Sequence, residues 1–344
     1  MTPSQRPAQE THVRATRDWA PALQGLFLRW GILAVLFGLI VYLSMVQPQF
    51  LTITNWTNLI RDMSVETLVA LAVTVSVVVA GFDVSVGAVA GMAVIVSMMA
   101  MVVYHASAAE AVGLSLLSGL VIGAVNAFLI VRLRLPDLLA TLGMLFVVDG
   151  VQQVFVAGQT ITPGMTLPNG SSATGTIQPS FLAIDQGRFL HLPISIWIMF
   201  AVAMLLWFFL SSTRVGRLMY AVGSNQEAAR LSGVNVGAYK TGAYLLSGFL
   251  AALGGVVLAA RIGVGEQLAG DPYMLNGVAA SMIGFAVLGS GRANVFGTFI
   301  GALLMAVMVN GFTMLNVPYY TQQAMLGAVM LAALALSYAV KSRG

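Results

Sequence analysis

The chain has 344 residues, 58% of them hydrophobic and only 8% charged, against about 25% charged in soluble domains, which excludes a soluble globular fold. It has no cysteine, which excludes disulfides, thiolate metal sites and a cysteine nucleophile, and His12, His105 and His191 lie too far apart in sequence to suggest a metal site. The formal net charge of +4 is carried by basic residues scattered around apolar segments rather than massed on one stripe, so nucleic acid is not an expected partner.

Residues 1–25 are polar, with Arg6, Arg14 and Arg17, and lead into an apolar run that ends without a small-residue cleavage site. They read as a cytoplasmic tail ahead of an anchor, not as a cleaved signal peptide. Apolar segments follow at 26–46, 64–80, 84–104, 111–131, 138–156, 193–210, 239–260, 275–289, 295–315 and 323–340. The expected fold is an all-α polytopic membrane protein of about ten transmembrane helices over residues 26–340, immersed in the lipid bilayer. With a cytoplasmic N-terminus, alternation leaves only Arg61, Arg188 and Arg261 of the 16 Lys and Arg residues outside, and puts the C-terminus, 341–344, in the cytoplasm as well. The run from 67 to 104 is broken by a single charge, Asp83. Counting it as one span would move Arg132, Arg134, Arg214, Arg217, Arg230 and Lys240 outside, so it reads as two.

GFDVSVG at 81–87 sets a carboxylate between two apolar helices. Asp83 is open to three readings. It can cap the following helix by accepting hydrogen bonds from its first amides, it can couple transport to a proton or cation, or it can touch a solute directly. Ser85, Asn126, Gln152, Asn276 and Asn310 also lie within or beside spans, where an Asn or Gln either bonds a neighbouring helix or lines a hydrophilic path. The outer segment 157–192 is rich in Gly, Ser, Thr and Pro, and reads as a periplasmic lid, a docking surface or a connector. GLVIGA at 119–124 and GTFIGA at 297–302, each followed by a proline and a Leu-Gly pair, suggest an internal pseudo-repeat.

The cytoplasmic loop 211–238 carries AVGSNQEAARLSGVNV at 221–236. Ser224 with Glu227 three residues on has the spacing of a capping box, and Gly233 supplies a stop. The resulting helix of about two turns is too short to stand alone, so a partner protein is expected to hold it. Neither lysine, Lys240 nor Lys341, lies in a phosphate-loop context, and no HExxH or GxSxG run occurs, so neither ATP hydrolysis nor another enzymatic role is expected of this chain.

Four motifs carry a family resemblance: GFDVSVG, AVGSNQEAARLSGVNV, LSGFLAALGGVVLAARIG at 246–263 and VFGTFIGALLMAVMVNGFTML at 295–315. Together, and in this order across residues 47–340, they resemble the ribose-type branch of ATP-binding-cassette sugar importer permeases. The resemblance implies a bacterial inner-membrane permease working with a cytoplasmic ATPase, which uses ATP and Mg, a periplasmic solute-binding protein, and a second permease, identical or different. It implies no cofactor bound by this chain and no catalytic residue. Ser224, Asn225, Glu227, Ala228, Arg230, Leu231, Ser232 and Gly233 are similar to the coupling helix that docks on the ATPase. The chain departs from the family at 276–297, where Asn276 replaces the usual Asp and Phe285 the second glycine of a Gly-Gly pair. The alternative function is a proton-coupled secondary transporter using Asp83, Glu66 or Asp149, and a non-transporting membrane scaffold is a third class.

Overall fold

The computed structural model describes residues 20–167, 169–286, 292–318, 320–328 and 331. The order is α1 (Ala20–Val46), α2 (Ile53–Val78), α3 (Val86–Val102), α4 (Ala108–Ala127), α5 (Asp137–Val156), α6 (Pro179–Gln186), β1 (Arg188–Phe189), β2 (Leu192–Pro193), α7 (Ile194–Ser212), α8 (Arg214–Ser224), α9 (Gln226–Leu231), α10 (Val236–Ile262), α11 (Asp271–Ala286) and α12 (Val295–Met314). A π-helical turn at Phe128–Arg132 extends α4.

Among the described residues, 5 helices are long and apolar enough to cross a membrane: α4 with its π turn, α5, α7, α10 and α12. The other apolar segments up to residue 286 also fall on helices, while most of the last, 323–340, lies outside the described residues, as do 1–19 and 341–344. Three boundaries differ from the sequence expectation. The first helix starts at Ala20, inside the stretch read as tail. The second starts at Ile53, well before the apolar run at 64, with Thr52 Oγ1 accepting from Asn55 N at 3.3 Å. Its first turns carry Asn55, Asn58, Arg61 and Asp62, which hide a helix from a hydropathy reading. The segment 157–192 is not wholly irregular. Pro179 opens α6 at a position where its missing N–H costs nothing, and β1 pairs antiparallel with β2.

The break between α2 and α3 is real, and residues 79–85 separate them. At Ala80 the backbone is left-handed, φ +55°. Around this break the helices gather on α10, 78% of whose apolar window is buried against 28% for α5. In hydrocarbon no hydrophobic force draws apolar helices together, so close backbone approach through small residues has to do so. A Cβ added at Gly248 would fall on the Gly119 carbonyl of α4, and one at Gly255 on the Ala90 carbonyl of α3. The second GxxxG run acts in the same way, with Gly297 and Gly301 of α12 against the Gly284 and Ala280 carbonyls of α11. The glycines of both echoed runs, 119–123 and 297–301, lie at close helix contacts.

Gly248→Val forces a branched side chain onto the α4 backbone and is expected to destabilise the bundle by about 3 kcal/mol. Gly143→Ala, where nothing lies within 4 Å, should stay within about 0.5 kcal/mol of the parent chain. Thermal midpoints in detergent compare the two, and equal midpoints would refute the packing role.

Candidate functional site

Three clusters of polar residues lie along the bundle. At one end, α8 and α9 form a bent pair. Thr213 caps α8, with its Oγ1 accepting from Gly216 N at 3.1 Å, and Met219 and Val222 are buried on its inner face. The start of α9 corrects the sequence reading. Asn225, not Ser224, is the cap, its Oδ1 accepting from Ala228 N at 2.9 Å. Ser224 is the last residue of α8 and its hydroxyl donates to the Tyr220 carbonyl at 2.8 Å. The Glu227 carboxylate is held by Arg230, with Nη2 at 2.6 Å, so neither group is left for a capping box. Ala228 and Ser232 are bonded to each other, Oγ of Ser232 to the Ala228 carbonyl at 2.9 Å, and Gly233 ends the helix at φ +80°. Leu231 at the tip is 78% exposed.

The α8 helix rests on two other elements. Gly223 lies so close to the end of α2 that an added Cβ would strike the Val78 carbonyl. Tyr220 Oη donates to the Ala293 carbonyl at 2.9 Å, just before α12, and Arg292 lies 5.0 Å from the centre of the Tyr220 ring. One amphipathic helix thus touches both the end of α2 and the α11–α12 connection.

Next to it, Asp83 organises the break. Its Oδ1 accepts from Ser85 N at 3.0 Å and Ser85 Oγ at 2.6 Å, and its Oδ2 accepts from Ser247 Oγ of α10 at 2.8 Å. Asn126 of α4 donates to Ser85 Oγ at 2.9 Å. The expected cap is therefore displaced by a residue. Asp83 receives the amide of Ser85, the residue before the helix, and Ser85, at the N-cap position, makes no side-chain cap bond. The other peptide N–H groups of the break are also matched: Gly81 with the Ser76 carbonyl at 2.9 Å, Phe82 with Tyr244 Oη at 3.3 Å, Asp83 with Ser76 Oγ at 3.2 Å and Val84 with Thr141 Oγ1 at 3.3 Å. Tyr244 in turn donates to Asp137 at 2.6 Å, and Lys240 lies 3.2 Å from the same carboxylate. Gln152 ties α5 to α3, donating to the Ala88 carbonyl at 3.1 Å and to Asp149 at 3.0 Å while accepting from Leu268 N at 3.3 Å. Asp83, Ser85 and Asn126 are thus one buried node and Gln152 a separate brace.

Asn276 and Asn310 lie elsewhere, at the opposite end from α8. They line a cavity of 630 Å³ bounded by α2, the end of α10, α11 and α12, together with Asp62, Glu66 and Arg261. Asn310 and Asn55 exchange amide hydrogen bonds of 2.9 and 3.3 Å, which join α2 to α12 along one edge. An ion cluster borders the cavity. Asp185 of α6 is fully buried and receives Arg61 of α2, with Nε at 2.9 Å and a shorter contact from Nη2, and Arg261 of α10 through Nη2 at 3.0 Å. Sequence reasoning missed Asp185, Asp137 and Lys240. The only hint was that Arg61 and Arg261 are rare basic residues on the side of the 157–192 segment. Glu66 and Asp149 fall in different places, Glu66 in the cavity wall and Asp149 beside Gln152. Among the described residues no group of three or more His, Asp or Glu is placed to hold a metal ion.

The chain is thus a broken-helix bundle of apolar helices with a polar cavity at one end and an amphipathic helix pair at the other. The chain belongs to the family described as "Branched-chain amino acid transport system / permease component", whose profile matches residues 55–334. It is 34% identical over 301 residues to the ribose import permease protein of Escherichia coli, covering 88% of this chain and 91% of that one. The ribose import permease protein of Bacillus subtilis is 32% identical over 312 residues, 91% and 93% of the two chains. The galactose/methyl galactoside import permease protein of Salmonella typhimurium is 31% identical over 325 residues, 90% and 95%. No solved structure matches. The chain is accordingly a multi-pass membrane permease, one component of a transport system, from a family of transporters rather than enzymes. These relatives give the proton-coupled alternative no support.

Burial pushes the Asp185 carboxyl up, but the Arg61 and Arg261 guanidiniums outweigh it and hold it below its ordinary range. A carboxyl with a lowered folded-state pKa stabilises the fold fully above its unfolded pKa and loses that contribution as pH falls through the folded value. Thermal stability should therefore fall on strong acidification. Asp185→Asn should already lose about 2 kcal/mol at neutral pH, less than a fully buried pair because Arg61 remains 31% exposed. Differential scanning in detergent as a function of pH checks both, and an Asp185→Asn curve matching the parent would contradict the cluster's role.

Proposed function

We propose that this chain is the permease subunit of an ATP-driven importer, and that it forms the path for a sugar or sugar-like solute across a bacterial inner membrane. The relatives whose names specify ribose, galactose and allose support the solute class. In this reading there are about ten spans with both termini cytoplasmic, and the α8–α9 end faces the cytoplasm. Arg292 lies beside Tyr220 of α8 at this end, and Arg61 and Arg261 meet the 157–192 segment at the other, which fits the charge bias.

The observation that carries the proposal is the seat of α8, on Val78 at the end of α2 and on the Ala293 carbonyl ahead of α12. Those two helices wall the cavity at the far end. A cytoplasmic ATPase, holding ATP and Mg, docks on α9 through Leu231 and the Glu227–Arg230 pair. When it moves, it shifts α2 against α12. A periplasmic binding protein delivers solute to the cavity mouth, and a second permease, identical or homologous, completes the path. Asp83 serves as the structural node of the break, and the chain itself binds no cofactor.

Leu231→Asp places a charge at an exposed tip, where folding is little affected, and should cut ATP-driven uptake at least about tenfold, a loss of ~1.4 kcal/mol of docking. Uptake of labelled D-ribose, D-galactose, D-allose and L-leucine into vesicles containing the assembled transporter tests both parts. Full uptake by the variant would refute the docking site. Uptake of leucine and of none of the sugars would replace the solute assignment.

A further inference from the structure

We propose that Glu66 is a hydroxyl-accepting contact for the solute inside the cavity, a specificity determinant that rests on reading this chain as a sugar permease. Glu66 lies on α2 in the cavity wall and is 6% exposed, and its Oε1 has no hydrogen-bond partner among the described residues. A buried carboxyl oxygen without a donor is costly, and a donor entering the adjoining cavity would satisfy it.

The neighbouring charges do not supply one. Arg261, the basic residue of the cavity wall, is taken up by Asp185 at 3.0 Å, Ser64 Oγ at 3.0 Å and Asp62 at 3.5 Å. The other buried membrane carboxylate, Asp83, has donors on both oxygens. Glu66 therefore differs from it in facing a cavity while lacking a partner.

The rest of the wall suits a neutral polyol. Asn276 brings an amide that both donates and accepts, Tyr273 brings an aromatic ring, and the 630 Å³ volume falls within the about 300–1,000 Å³ of small-molecule sites. A sugar hydroxyl donating to Glu66 gives the carboxyl a hydrogen bond that its protein neighbours do not supply.

The test uses the absence of native cysteine. Thr313, exposed in the cavity wall, is changed to cysteine in the full transporter, and its modification by a membrane-impermeant maleimide is followed with D-ribose, D-galactose or choline present. One of the sugars should slow modification. Glu66→Gln, which turns one carboxyl oxygen into an amide donor, should raise the half-protecting sugar concentration about threefold or more, and Glu66→Leu should abolish protection. If the leucine variant fails to assemble, the glutamine variant decides alone. Protection unchanged in the variants, protection by choline only, or no protection by either sugar would overturn the proposal. Sugar uptake by the parent chain is measured in parallel. Uptake without dependence on Glu66 removes this contact and leaves the permease reading standing, whereas no ATP-driven uptake of any sugar removes the reading itself.

Discussion

The rest of the structure depends on how the interruption between α2 and α3 is satisfied. Each peptide group left unpaired in a bilayer costs several kcal/mol, so non-helical backbone survives at depth only where protein supplies partners. Here the N–H groups from Gly81 to Ser85 all have acceptors, drawn from Ser76, Tyr244, Thr141 and Asp83. The partners come from three helices, α2, α10 and α5, so the break cannot form until they have assembled. Asp83 is the centre of this arrangement because one carboxylate accepts from both sides, Ser85 on its own segment and Ser247 on α10.

That requirement fits the burial of α10, the most buried of the five candidate spans. It supplies Tyr244 and Ser247 to the break, and presents Gly248 to α4 and, about two turns on, Gly255 to α3. Its C-terminal end supplies Arg261 to the Asp185 cluster. The two ends of the molecule are therefore joined by one helix whose packing leaves little room to deform. In the proposed mechanism, movement occurs between the groups that α10 holds and the α11–α12 pair, where the contact includes the Asn55–Asn310 amides and the Thr74, Ser281 and Thr298 hydroxyls. Such polar contacts can be exchanged for others more readily than an interlocked glycine seam.

Much of this was legible in the sequence because membrane proteins write their topology in composition. The single charge at Asp83 and its flanking glycines marked the break, and the charge bias predicted that Arg61 and Arg261 share a side with 157–192, where the structure brings both to Asp185. The details that failed are those decided by neighbours in space. Ser224 and Asn225 are both good caps by type, and the choice fell to Asn225 because the Ser224 hydroxyl was already bonded to the turn before it. Nothing local distinguished Asn126, held in the buried node, from Asn310, set in the cavity wall, since both are lone amides in apolar helices. The early start of α2 was hidden for a related reason: of its polar first-turn residues, Asn55 bonds Asn310, Arg61 pairs with Asp185 and Asp62 lines the cavity, contacts that hydropathy does not reveal.

The central claim is that α8 carries motion from the cytoplasmic face to α2 and α12. The most direct measurement is the distance between spin labels at Ile53, exposed at the start of α2, and Thr313, in the cavity wall on α12, in the assembled transporter with and without a trapped ATP analogue. The account predicts that nucleotide shifts this distance distribution and that Leu231→Asp abolishes the shift. An unchanged distribution in a transporter that still imports solute would contradict it.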